Sequence, residues 1–225
     1  MKLSLLTITN AVHVTPLTWD LVTLARGLGA EMVVAHDVPP SQVMPAGVVY
    51  VPVTSKGYME SVLDEAVAAC SGDYILRVDD DERCSPALVE WLKDEKYRQS
   101  DSWHFPRVNL WKNTSTMILN EPLYPDWQTR LTTKALAGGR GAIHSQAIKP
   151  GARAKVCVEH HQFLVKSLDE RRVKNARYEA AQPGAGKDFL MYSCPEDYYD
   201  ALDIGYYEHG KDPLFHRWTS TERLR

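Results

Sequence analysis

Apolar positions first run together at Leu3 to Thr9 (Leu-Ser-Leu-Leu-Thr-Ile-Thr), which reads as a buried strand. Thr15-Pro16 then supplies an N-cap and a first-turn proline, and Leu17, Leu21, Leu24 and Leu28 give the predicted helix one apolar stripe, ended by Gly27 and Gly29. Second and third strands are expected at Met32 to Ala35 and Val48 to Val53, around a Pro39-Pro40 turn region. From Met59, the positions Val62, Leu63, Ala66 and Cys70 return at helical spacing. Ser71-Gly72-Asp73 closes that helix before a strand from Tyr74 to Val78, and Ser85-Pro86 opens the next helix. Strands alternating with helices through roughly the first ninety residues predict right-handed crossovers onto a mostly parallel sheet, an α/β fold of Rossmann type.

After Leu92 the pattern changes to shorter extended stretches rich in Trp, Pro and Asn, as far as about Glu159. These predict added strands, some antiparallel, beside the first sheet. Ser167 and Glu170 form an S-x-x-E capping box that opens a helix to about Ala181. Beyond Pro183 the chain is Tyr-rich and acidic, with a weak helix expected near Glu196 to Ile204 and a loose tail. Gly184-Ala185-Gly186-Lys187-Asp188 lacks the spacing of a phosphate loop and reads as a flexible loop. No internal repeat is visible.

Composition narrows the class. With 225 residues, 44% hydrophobic and 24% charged, the chain suits one domain with a proper core. No apolar run reaches the roughly 18 residues needed to span a bilayer, and the N-terminus has no small-residue cleavage site, so a cytoplasmic protein is expected. Cys70, Cys84, Cys157 and Cys194 form no C-x-x-C pair and read as buried thiols. The net charge of -3 argues against a general nucleic-acid or membrane binder, yet Arg140 to Lys187 holds ten Lys/Arg against four Asp/Glu. Such a segment, facing acidic residues elsewhere, suits a phosphate-bearing ligand with its metal; Arg171, Arg172 and Lys174 read most simply as a solvated helix face.

In an open parallel sheet, ligands gather at the carboxyl ends of strands. Asp79-Asp80-Asp81-Glu82 sits there, directly after Tyr74 to Val78. Adjacent carboxylates repel one another unless a cation neutralises them, and oxygen ligands suit Mg²⁺ or Mn²⁺, ions that bridge diphosphates. Alone, such a tetrad also fits a solvated turn.

The ordered set of motifs resembles the family 2 glycosyltransferases of the GT-A fold, in particular small bacterial and phage-type members. The matching segments are Gly72-Asp73-Tyr74-Ile75-Leu76-Arg77-Val78-Asp79-Asp80-Asp81-Glu82, then Tyr124-Pro125-Asp126-Trp127-Gln128-Thr129-Arg130-Leu131. Ile143-His144 follows, and then His160 with Lys174, Arg177 and Tyr178. The resemblance implies a GT-A domain over 1–182, its 1–95 half holding the nucleotide sugar and its 96–182 half the acceptor. Residues 183–225 would form an extension packing on or near the active site. Asp79 and Asp81 would be the D-x-D pair at the ribose and metal, with His160, or His144, completing the metal shell. Thr7, Asn10, Asp37, Asp80, Arg130, Lys174 and Arg177 would contact the donor. Asp126 would be the catalytic base, and Trp127, Gln128 and His144 would face the acceptor. The implied activity is metal-dependent, inverting transfer from a nucleoside-diphosphate sugar, UDP-linked by expectation, to a hydroxyl acceptor: a saccharide, lipid, protein or modified DNA.

Departures from the family pattern concern recognition: His36-Asp37-Val38-Pro39-Pro40 leaves a single carboxylate after the second strand, and Ser145 stands where a glutamate is usual. Two other readings stay open, a nucleotidyltransferase on a similar sheet and a non-catalytic module that binds nucleotide sugars or carbohydrate. The first lacks a Gly-rich loop in Thr9-Asn10-Ala11-Val12. His160-His161 also fits one exposed and one core histidine at a strand end, and Trp103 and Trp111 fit the core.

Overall fold

The computed structural model describes residues 1–10, 15–37, 45–138 and 151–208, apart from the side chain of Asp188, and the backbone of 223–224. His144, Ser145 and the Pro39-Pro40 turn lie outside the described residues.

β1 (Leu3–Thr9) is buried at every position, as a parallel strand covered on both faces must be. α1 (Pro16–Leu28) follows; Thr15 caps it by accepting from the Thr18 amide, and Gly29, at φ 61°, ends it in the left-handed region that glycine tolerates. Gly27 lies inside this helix rather than ending it. The buried face is also rotated from the expected leucine stripe: Thr18, Leu21, Val22 and Ala25 are buried, whereas Leu24 and Leu28 pack only at the core's edge. β2 (Glu31–His36) and β3 (Val48–Pro52) come next, then a 3₁₀ turn (Met59–Val62) leading into α2 (Leu63–Ala69). β4 (Tyr74–Arg77) precedes the acidic run.

Glu82 is not part of a solvated turn. It begins β5 (Glu82–Cys84), and α3 (Pro86–Lys93), capped by Ser85, follows. β6 (Ser102–Asn109), β7 (Thr116–Ile118), β8 (Asp126–Thr133), β9 (Ala152–Arg153) and β10 (Val158–His160) complete the strand-rich stretch. α4 (Gln162–Val165) and α5 (Leu168–Ala181) follow, the second opened by the expected Ser167–Glu170 capping box.

Among the described residues, nine strands form one sheet in the order β3-β2-β1-β4-β8-β6-β10-β5, with β9 beside β6. β1 to β4 pair in parallel, and β8 runs antiparallel to both β4 and β6. Strand alternation divides the core: Leu5, Val34 and Leu76 face α1 and α3, while Leu6, Val33 and Ile75 face α2. Trp103 is a core residue, edge-on to Trp91 at 4.9 Å; Trp111 is half-buried against Phe163. All four cysteines are buried thiols, and burial pushes Cys70 and Cys84 up to about 12. Among the described residues no helix is long and apolar enough to cross a membrane.

The C-terminal part departs most from expectation. Residues 184–188 form no open loop: α6 (Ala185–Asp188) packs so closely on α5 that a Cβ at Gly186 would collide with the Asn175 carbonyl oxygen. The Glu179 carboxylate accepts from the Gly184 and Lys187 amides. α7 (Leu190–Ser193) comes next. In place of a helix from Glu196 to Ile204, a 3₁₀ turn (Pro195–Asp197) precedes β11 (Ile204–Tyr206), which pairs with β7 and with β12 (Arg223–Leu224) in a three-stranded sheet. The acidic residues of that turn bind α5 instead. Arg171, buried, donates to Glu196 at 2.6 Å and to the Ser193 carbonyl, and Arg172 pairs with Asp197 at 2.8 Å. These two arginines therefore seat the C-terminal segment rather than forming a solvated face.

Arg171→Ala leaves Glu196 without its buried partner, and should cost about 3 kcal/mol in denaturant unfolding. It should also expose 185–208 to limited proteolysis before the rest of the chain. Arg172→Ala, at a half-exposed pair, should cost under about 1 kcal/mol in the same measurement.

Candidate functional site

The acidic run lies where β1, β2 and β4 end. The Thr9 hydroxyl, closing β1, donates to Asp80 Oδ2 at 2.7 Å, and the Asp37 amide donates to the Thr9 carbonyl. Asp37 is committed to a loop: its two oxygens accept from the Ser55 amide (2.7 Å) and the Ser55 hydroxyl (2.5 Å). Asn10 is exposed just beyond β1. Thr7 is placed elsewhere, fully buried inside the sheet, where a ligand at the strand ends does not reach it.

The four carboxylates have distinct environments. Glu82, fully buried, accepts from Arg130 Nη2 at 2.5 Å and from the Asp79 amide at 3.1 Å, and Arg107 Nη1 stands 3.5 Å away. Asp79, partly exposed, accepts from the same Arg130 nitrogen at 2.7 Å. Burial acts to raise its pKa, but Arg130 and Arg77 outweigh burial and hold it at about 2. Arg130, expected at the leaving group, is thus buried and engaged by two carboxylates; its Nε and Nη1 meet no hydrogen-bond acceptor among the described residues. Asp80 is shifted the other way, raised by burial and then by the charge of Asp81.

Asp81 is buried and faces two groups brought from the other half of the chain. Lys166 Nζ donates to Oδ2 at 2.6 Å, and His160 Nε2 stands 3.5 Å from Oδ1. The histidine's state follows from its other side. Asn109 donates through Nδ2 to the Leu123 carbonyl at 2.7 Å, so its Oδ1 is the acceptor that His160 Nδ1 meets at 2.7 Å. With the proton on Nδ1, a neutral ring turns its Nε2 lone pair toward Asp81. Burial and then Arg107 lower the His160 pKa from its usual value, against the charge and hydrogen bond of Asp81, which raise it. A lone pair facing a carboxylate is unfavourable unless a cation lies between them, and a carboxylate oxygen with an imidazole nitrogen fits a divalent ion. Among the described residues no three His, Cys, Asp or Glu side chains gather closely enough to hold a metal alone. Asp81 and His160 would therefore hold such an ion as a pair, with ligand phosphates and water supplying the rest. His161 faces away, its Nε2 3.7 Å from Glu159.

Asp126, at the start of β8, is buried with both oxygens engaged: Arg107 Nε and Nη2 donate to Oδ2 at 2.7 and 2.6 Å, and Gln128 donates to Oδ1 at 2.6 Å. Trp127 lies half-buried under the Arg153 guanidinium, 4.6 Å from the ring centre. Lys174 is partly buried, donates to Gln162 Oε1 at 3.0 Å, and has its pKa lowered by burial despite the charge of Asp81. Arg177 is exposed. A cavity of about 560 Å³ between α1 and α3 contains none of these residues.

Arg107, Asn109 and Lys166 were absent from the residues singled out in sequence. Arg107 and Asn109 owe their positions to β6, whose register sets Arg107 opposite Asp126 and Asn109 beside His160. No spacing rule marks either. Lys166 carried one signal, its place immediately before the capping box.

No family model and no curated protein matches the sequence. Among solved structures, TarS 1–349 of S. aureus superposes with a TM-score of 0.50 at 13% identity, over 88% of this chain and 74% of that one. The complex of TarS 1–349 with UDP-GlcNAc gives 0.42 at 14% identity, over 86% and 71%. A 2-C-methyl-D-erythritol 4-phosphate cytidylyltransferase from Thermus thermophilus gives 0.39 at 18% identity, over 60% and 72%. The fold is GT-A-like, a mostly parallel sheet flanked by helices with a small antiparallel sheet beside it.

The shifts carry a stability signature. Asp79, with its folded pKa lowered to about 2, contributes stability above its unfolded pKa that is lost as pH falls from about 4 toward 2. Asp80, with its pKa raised, opposes folding once ionised. Asp80→Asn should thus stabilise the protein at neutral pH, with the gain vanishing below about pH 4, as read by urea unfolding across pH.

Proposed function

We propose that this chain is a metal-dependent, inverting glycosyltransferase of the family 2 type, moving a sugar from a nucleoside-diphosphate donor to a hydroxyl acceptor. The observation that carries the reading is the pairing of His160 with Asp81, its Nδ1 held by Asn109 and its Nε2 3.5 Å from Asp81 Oδ1 in the turn after β4. In this reading residues 1–182 are the transferase domain, 1–95 serving the donor and 96–182 the acceptor, with 183–225 an extension near the active site. We take the donor as UDP-linked, as the motif set implies.

When bound, a divalent cation supplies Lewis-acid stabilisation to a diphosphate leaving without a proton donor. Asp81 and His160 would hold it, while Asp79 and Asp80 would border the donor and Lys174 would add positive charge. Asp126 accepts the acceptor's proton as the hydroxyl oxygen attacks in line and the bond from sugar to phosphate breaks. Arg107 fixes Oδ2 and orients the carboxylate, so the proton goes to Oδ1, which Gln128 releases. Trp127 offers an aromatic face to the acceptor sugar.

Screening melting temperature with UDP-, GDP- and TDP-sugars plus Mn²⁺ should identify the donor, because a bound ligand stabilises the fold by mass action. That donor should yield a nucleoside diphosphate only with Mn²⁺ or Mg²⁺, and Asp81→Asn should abolish turnover; full activity in chelator refutes the reading. Release of pyrophosphate instead would indicate a nucleotidyltransferase, and binding without turnover on any acceptor a non-catalytic module. Asp126→Asn should lower kcat about 10² to 10⁴-fold with donor affinity unchanged, measured by calorimetry against steady-state kinetics.

A further inference from the structure

Lys166 makes the shortest polar contact to Asp81, on the carboxylate oxygen that does not face His160. Its main chain is anchored: its amide donates to the Gln162 carbonyl, and the next residue, Ser167, is locked by the capping box of α5. Its side chain is not enclosed, with 30% of its surface exposed, so the ammonium can leave Asp81 while the backbone stays in place. A divalent ion on Oδ1 would repel an ammonium on Oδ2 of the same carboxylate and share its negative charge, so its arrival weakens the hold of Asp81 on Lys166.

We propose that Lys166 is an exchangeable counter-ion, neutralising Asp81 until a divalent cation arrives and then swinging to the diphosphate that comes with it. This rests on the reading of Asp81 and His160 as the metal pair. Charge balance explains why a mobile cation serves the reaction. The released diphosphate carries roughly one more negative charge than the intact donor, because its new terminal phosphate titrates near neutrality. A divalent ion that balances the donor leaves that extra charge uncompensated. The displaced ammonium of Lys166 compensates it in the leaving state more than in the ground state, which is where an interaction accelerates the chemistry. Lys174 is less suited to the exchange, since it donates to the neutral Gln162 from within the second turn of α5.

The test separates two affinities in wild type, Lys166→Met and Lys166→Arg, with Lys166→Gln as a second neutral variant should the methionine protein fail to fold. Mn²⁺ binding is read first without nucleotide, by the electron paramagnetic resonance signal of free Mn²⁺. Inorganic diphosphate binding is then read by calorimetry at saturating Mn²⁺. Removing the ammonium should tighten Mn²⁺ alone by about tenfold and weaken diphosphate by about tenfold, the size expected for one charged hydrogen bond, with Lys166→Arg near wild type in both. A structural role would weaken both affinities together and overturn the exchange. Equal Mn²⁺ affinity in wild type and neutral variants would overturn it too, while leaving the metal pair intact. If Mn²⁺ binds wild type no better than Asp81→Asn, the metal reading itself fails and the exchange with it.

Discussion

Two of the four consecutive carboxylates after β4, Asp79 and Glu82, are held by arginines that reach beneath them from β6 and β8. Glu82 has no exposed side-chain surface, and a buried carboxylate without a partner would cost several kcal/mol. Arg130 ties Glu82 to Asp79, and Arg107 spans from Glu82 to Asp126. The turn at 79–82, the strand that starts at Glu82 and the side chain of Asp126 are therefore set by one network of charge. Its members come from the turn after β4 and from β5, β6 and β8, so the geometry of the site is inseparable from the pairing of the sheet.

Within that network the carboxylates divide their work. Glu82 and Asp79 are neutralised by arginine and give the turn its shape. Asp81 is held by a lysine, whose single flexible charge is easier to replace than a guanidinium engaged by two oxygens. Asp80 has the Thr9 hydroxyl as its hydrogen-bond partner and an unfavourable neighbour in Asp81. Residual repulsion at Asp80 and Asp81 is the kind of local cost that proteins retain where a ligand is to relieve it.

Local signals in the sequence located β1 to β4, α1, α3 and the capping box of α5, because caps, prolines and uninterrupted apolar runs act over a few residues. Where tertiary contacts decide, the sequence was silent or misleading. Glu82–Cys84 looks like the end of an acidic turn, and becomes a strand through β10, its neighbour about seventy-five residues later. Glu196 and Asp197 suggest the start of a helix, but their charges bind Arg171 and Arg172. In the site, the placing of Asp81 near His160 followed from an ordered motif set, whereas Asn109 and Arg107 depend on strand register, and the burial of Thr7 on coverage of both sheet faces.

The order of strands in the large sheet has a mechanical consequence. The chain's first half contributes β4 and β5, yet each is paired with a strand from the second half, β8 and β10. No hinge can open between the halves without tearing backbone ladders in two places. They form one cooperative unit rather than a pair of jaws, and freedom to move falls to loops and side chains around a rigid floor.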